Sequence, residues 1–390
     1  MPTSRTTLRS LSALTLGCLT LGGAATAQSL GATFDNNIDG YIEIPYTPSV
    51  VPQGGITLEA WIKYDESTLP AGWRFPTIAR QNPNAGQEAY FLRIEAGTTK
   101  NNALRWLINT TGSGPTSIEW NFGAGGLLEW THVAATYDGN QMRIFVNGNQ
   151  VSSGSASGSL IDNGDVLRIG KGSDVGDPAM EVFNGSIDEV RLWPFARTEA
   201  EIKSTRLRTL FNMPGQVSTW SLDGHTLDFS GTNNGTASGS VLFAPSGLDL
   251  IVGALQGANF GSSSPGCLGP IHASVGSLPE AGNSGFSMVA HKVPSGVPVF
   301  AYLGQSVLST PLPLAGIGVL INPATAFGLY PASVNGLGVA RLDFGIPINF
   351  PVGISVAFQF AALDPCGPQG FTASNAVGML TMPKVLTPFP

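Results

Sequence analysis

The chain is predicted to be all-β. Three observations carry that expectation. First, residues 131–137 (THVAATY) and 141–146 (QMRIFV) alternate with a period of two: Thr131, Val133, Ala135 and Tyr137 fall on one face, and Met142, Ile144 and Val146 resume the pattern. Second, Asp138-Gly139 and Asn147-Gly148 punctuate these runs with the dipeptides that tight turns favour. Third, Gly and Pro number 50 and 28 in 390 residues, which suits many short strands joined by turns, and helical periodicity is scarce.

The first 27 residues have the pattern of a cleaved secretory signal. Arg5 and Arg9 precede an apolar run, Leu11–Leu21, and Ala25-Thr26-Ala27 offers a small-x-small cleavage site. The apolar run is shorter than the ~20 residues a membrane span needs. Thr15-Leu16-Gly17 before Cys18 is a poor lipoprotein signal. The expected location is therefore secreted, or at the cell surface or in the periplasm, with no transmembrane segment.

Strands are expected over 41–46, 56–64, 88–96, 103–110, 116–122, 166–170, 183–193 and 218–224. In ITLEAWIKY, Ile56, Leu58, Ala60, Ile62 and Tyr64 make one face; Thr57, Glu59, Trp61 and Lys63 make the other. The three runs between 88 and 122 should lie in one sheet with Arg93, Arg105, Trp106, Asn109, Glu119 and Trp120. Thr198 stands three residues before Glu201, a capping-box spacing, so a short helix should start there and end near Leu210.

ITLEAWIK, WTHVAATYDG with IFVNG, LRIG, and FNGSIDEVRLW with ART and AEI resemble, in this order, a laminin G-like domain of the concanavalin A-like lectin/glucanase superfamily. The resemblance implies a jelly roll of two antiparallel sheets over 28–245. VSTWSLDG and DFSGTNNGT are similar to an ending common beside such domains.

A Gly- and Ser-rich linker is expected at 246–262, and a smaller β-sandwich at 263–390. That tail has only six charged residues from 251 onward, dense Gly and Pro, and runs such as VPVFAYLG and ISVAFQFAAL. Its PGCLG, GNSGFSM and DPCG…SNA resemble a C-terminal β domain of secreted planctomycete-type bacterial proteins. Cys267 and Cys366 remain after signal removal and read as a disulfide; two buried free thiols are the alternative.

Residues 28–250 hold 23 acidic and 14 basic side chains. An acidic unit without a basic run argues against nucleic acid as partner. No G-x-S-x-G elbow, HExxH or P-loop occurs. Glycosidases on this fold alternate acids along one strand, whereas Asp188-Glu189 are adjacent and point to opposite faces. The expectation is a non-catalytic module that recognises an extracellular glycan or protein surface. A structural or adhesive envelope protein is the alternative, and a divergent glycosidase a third.

Sugars stack on aromatic faces beside polar groups. The expected binding set is Trp73, Arg93, Arg105, Trp106, Glu119 and Trp120. The competing expectation is that Trp106 and Trp120 are core. Relatives that bind calcium through carboxylates imply Asp35, Asp39 and Asp188 as a structural site, with Asp174 and Asp177 as the rival. Asp188 could equally bond backbone amides.

Overall fold

The computed structural model describes residues 29–382 except 36–38, 68–71, 73, 85, 98–99, 176–177, 211–212, 249 and 253–256. The expected signal segment, Trp73, Asp177 and part of the expected linker lie outside the described residues.

Two sheets form the first sandwich. The first contains Asn149–Ser155, Gln141–Val146, Leu127–Tyr137, Ile56–Tyr64, Gly185–Trp193, Leu30–Phe34 and Leu242–Pro245 in spatial order, with Ser218–Trp220 paired to Gly185–Trp193. The second runs Thr236–Gly239, Gly40–Ile44, Leu167–Ile169, Thr77–Gln81, Tyr90–Gly97, Lys100–Thr110 and Gly114–Asn121. Every ladder between these strands is antiparallel. One core fills the space between the sheets, with Ile56, Leu58, Ala60, Ile62 and Tyr64 from one layer and Leu92, Ile94, Leu104, Trp106 and Ile108 from the other. The alternation that marks the strands thus also builds the core.

Ile56–Tyr64 matches the expected strand end to end. Its second face is not solvated: Thr57, Glu59 and Trp61 are buried too. The cover comes from residues 195–210, which include the helix Glu199–Thr205, and from the second sandwich. Thr198 and Glu201 make the capping box. The helix stops at Thr205, short of the expected Leu210. Beyond it, Arg208–Thr209 pairs in parallel with Ile251–Val252.

The second sandwich has a five-stranded sheet (Gly257–Phe260, Phe371–Leu380, Ser355–Leu363, Val299–Gly304, Ala326–Pro331) and a four-stranded one (His272–Val275, Ser287–His291, Ala340–Asp343, Ser333–Val334). Its first strand falls inside the stretch expected as linker. Trp193, Phe195, Leu210 and Met213 of the preceding segment join its core.

Cys267 and Cys366 form a disulfide across a sequence separation of 99. The cysteines are exposed, not buried thiols; the buried side chain here is Asp364, whose carboxylate accepts the backbone N–H groups of Cys267 (3.0 Å) and Cys366 (2.9 Å). Cys267→Ser is expected to lower stability by about 4–5 kcal/mol, the chain-entropy value for a loop near a hundred residues. Urea denaturation of the variant against the oxidised parent measures it.

Candidate functional site

The outer face of the second sheet is polar and charged, and strand register defines it. Thr77 lies opposite Arg93, Arg93 opposite Arg105, and Arg105 opposite Glu119. A neighbouring row runs Glu43, Arg168, Arg80, Phe91, Leu107, Ser117. Directly paired residues share a face, so both rows point away from the core.

Glu95 organises the first row. Its Oε1 accepts from Arg93 Nη2 (2.6 Å), Arg93 Nε (3.0 Å) and Arg105 Nη1 (3.0 Å). Glu119 approaches Arg105 Nε at 3.6 Å, and Glu181 approaches Arg93 Nη1 at 3.7 Å. Burial would raise Glu95, but the two guanidiniums outweigh it and hold its carboxyl below the usual range. At Glu181 burial dominates, and the carboxyl is pushed up despite Arg93 and Arg80.

Aromatic rings sit beneath the cations. The Phe91 ring lies 4.3 Å from the Arg93 guanidinium, 5.6 Å from that of Arg80 and 6.0 Å from that of Arg105. The Tyr41 ring lies under Arg168 (4.4 Å) and Lys171 (5.0 Å). These stacks hold the guanidinium planes against the sheet. Arg105 and Glu119 keep 25% and 34% of their side-chain surface open.

The expected binding set divides by strand parity. Arg93, Arg105 and Glu119 come together on the outer face. Trp106 does not: it is fully buried, packed 5.9 Å from Tyr90 in the core. Trp120 pairs with Leu104, packs against the core from a half-buried position and stacks 5.7 Å from Phe122. The reason is elementary: successive strand residues face opposite ways, so Arg105 outward puts Trp106 inward, and Glu119 outward puts Trp120 inward. Sequence reasoning missed Tyr41, Arg80, Phe91, Arg168 and Lys171. Parity along 90–97 would have found Phe91 beside Arg93.

The expected calcium trio is not a cluster. Asp39 Oδ1 pairs with Lys171 Nζ at 2.8 Å, in front of the second sheet. Asp174 binds the same lysine (2.9 Å) and Arg168 (2.6 Å), and this holds its carboxyl low against the effect of burial. Asp35 lies exposed just beyond Leu30–Phe34. Asp188 is buried in the first sheet, opposite Trp61. Among the described residues, the group of three potential ligands that does converge is Cys267, Asp364 and Cys366, at the disulfide.

Asp188 has other company. Its Oδ1 accepts the Glu189 N–H at 2.8 Å, while Oδ2 is buried with no hydrogen-bond partner. A Cβ on Gly31 would stand 3.4 Å from that orphaned oxygen. Burial, then Glu189 and Asp223, push the Asp188 carboxyl up to about 9. Asp223 Oδ1 accepts from Leu30 N at 2.9 Å. The unmatched buried oxygen of Asp188 beside a glycine is one that either a proton or a hard cation would satisfy.

These features define a β-sandwich with a charged, open sheet face. Residues 35–203 match the Laminin_G_3 family model, described as Concanavalin A-like lectin/glucanases superfamily, so the first sandwich is a concanavalin A-like domain. Pappalysin-1 of Mus musculus is 37% identical over 81 residues, which are 20% of this chain and 5% of that protein. Pappalysin-1 of Homo sapiens is 36% identical over 81 residues, with the same shares. The chain thus spans about 5% of the length of these curated relatives. Among solved structures, a putative carbohydrate binding protein from Bacteroides ovatus is similar at a TM-score of 0.45 and 22% identity, covering 58% of this chain and 62% of that one. The mouse laminin alpha1 chain, domains LG4-5, is similar at 0.35 and 11%, covering 93% and 85%.

Proposed function

We propose that this chain is an exported, non-catalytic binding module that recognises an extracellular glycan on the outer face of its second sheet. One observation carries the reading. The row Arg93–Arg105–Glu119 places charged, partly open side chains side by side, and Glu95 and the Phe91 ring fix them before any ligand arrives. Held guanidiniums and carboxylates suit hydroxyl and carboxylate groups of sugars and lose little freedom on binding. The export pattern at the N-terminus and the disulfide agree with an oxidising compartment.

A glycan array with the purified protein, followed by calorimetry of its hits, tests this. Arg105→Ala/Glu119→Ala should weaken binding at least tenfold. The Arg105–Glu119 pair is partly exposed and contributes at most about 1 kcal/mol to folding, and Glu95 keeps Arg93 when Arg105 is removed, so the variant should stay folded, with its melting temperature measured beside the affinity. Unchanged affinity in the variant would refute the site.

Calcium belongs to the same reading as a structural ion. The residues that would hold it are Asp188 and Asp223 beside Gly31, in place of the Asp35, Asp39 and Asp188 trio. When bound it supplies positive charge to a buried carboxylate that otherwise lacks it.

An adhesive envelope component is the second reading. Phe327 and Leu329 are exposed on the sheet-edge strand Ala326–Pro331, with Phe300 on the neighbouring strand. Exposed apolar edges pair with other chains. Self-association in sedimentation, with no hit on the array, would favour it.

A further inference from the structure

One buried histidine at the contact between the sandwiches has, among the described residues, no acid to meet its charge. His291 ends the strand Ser287–His291 of the second sandwich and is buried. Its Nε2 lies 2.9 Å from the hydroxyl of Ser274, a fully buried residue of the neighbouring strand His272–Val275. Its Nδ1 is buried with no hydrogen-bond partner among the described residues.

The run between two strands of the first sheet, Gly185–Trp193 and Ser218–Trp220, closes over this pair. The Phe195 ring lies 5.1 Å from the imidazole. The Val275 N–H donates to the Pro214 carbonyl at 3.1 Å. A Cβ on Gly215 would stand 1.8 Å from the Ser274 Cβ, so glycine is what lets the two halves approach this closely.

The charged groups that act on His291 are all cations: His272 directly across the strand pair, Arg341 from Ala340–Asp343, and Lys292 next in the chain. The Arg341 guanidinium already lies 5.7 Å from the same Phe195 ring. The covering run brings Glu201 and Arg197 to this layer, and both are engaged: Glu201 by Arg341 at 2.6 Å and by Ser287, Arg197 by Glu59. His132, the other imidazole buried between the sandwiches, differs, because Glu59 Oε2 stands 3.3 Å from its Nε2.

We propose that Ser274–His291 is an acid-sensitive latch: a proton on the His291 imidazole loosens the second sandwich from the run that carries Phe195 and Gly215. A buried cation with no carboxylate beside it is costly, and opening the contact returns it to water. Linkage sets the direction. Burial, then His272, Arg341 and Lys292, hold the imidazole down at about 3, against its ordinary 6.5. The open form therefore takes the proton first. The contact is fully present above about pH 6.5 and weakens about tenfold for each unit of pH below it, down to about 3. Asp188 titrates in the opposite sense within the first sandwich, so the coupling of the sandwiches, and not total stability, is the quantity to read.

Chemical denaturation of the full chain at about pH 7.5 and about pH 4.5 tests the latch. The single transition at the higher pH should split in two at the lower. His291→Phe keeps a flat ring against Phe195 and carries no charge, and Ser274 retains the Val289 carbonyl at 3.4 Å. This variant should keep one transition at both values. NMR titration of the parent's histidine rings reads the group itself, whatever the variant does: the His291 ring should titrate well below its ordinary value. Three results would overturn the proposal: one unsplit transition in the parent at both pH values; splitting in His291→Phe as in the parent; or a His291 ring that titrates at its ordinary value.

Discussion

Arg197→Ala is expected to destabilise the protein by about 3–5 kcal/mol, the cost of stranding a buried charge. Arg197 is fully buried and holds the two sandwiches together. Its Nη1 pairs with Glu59; its Nε (3.0 Å) and Nη2 (2.8 Å) donate to the Gly276 carbonyl in the second sandwich. Nη2 also donates to the Glu201 carbonyl (2.9 Å) and Thr205 Oγ1 (2.8 Å), and the guanidinium lies 4.2 Å from the Trp193 ring. Without it, the nearest partner left to Glu59 is His132, whose Nε2 is 3.3 Å away, with the Arg191 charge beyond it. Burial lowers the His132 pKa despite Glu59, so the imidazole is neutral near pH 7 and cannot replace the lost cation. Glu59→Gln in the Arg197→Ala background should recover part of the loss, because the stranded charge goes with it. Chemical denaturation should show the single transition splitting in two as the sandwiches uncouple. A loss below about 1 kcal/mol, in the range of an exposed pair, with one transition retained would contradict this account of the interface.

The second large effect centres on Asp188. Its folded-state value of about 9 lies far above the ordinary carboxylate value near 4. Between those limits the folded chain without calcium holds a proton that the unfolded chain has released. The contribution of Asp188 to stability should therefore be fullest below about pH 4, fall as pH rises, and level off above about 9. Calcium, bound to the ionised carboxylate, should reverse this: the melting temperature rises with added calcium, by an amount equivalent to ~2.7 kcal/mol at a hundredfold excess over Kd. Asp188→Asn should flatten the pH dependence of the calcium-free protein and abolish the response to calcium. Equal melting temperatures in calcium and in EDTA would dispose of the cation.

Much of this was legible in the sequence, and the exceptions have physical reasons. Ile56–Tyr64 could be read because its alternation is local and one face meets a continuous core. The capping box at Thr198 could be read because both partners lie within one turn. The same strand's second face could not, because what buries Glu59 is Arg197, 138 residues away, and a sandwich further on. The Asp188 neighbours likewise come from elsewhere in the sequence, Gly31 from the strand Leu30–Phe34 and Asp223 from the bend after Ser218–Trp220. The tryptophans are different. Arg105 and Trp106 are consecutive in one strand, so a parity visible in the chain sets them on opposite faces and excludes a binding surface that holds both.

The central claim is that the outer face of the second sheet is the binding face. Hydrogen–deuterium exchange of the protein with and without its best array ligand tests it most directly. The account predicts slowed exchange in peptides spanning 90–121, the strands that carry Arg93, Arg105 and Glu119. Unchanged exchange there, with protection confined to other strands or to the second sandwich, would contradict it.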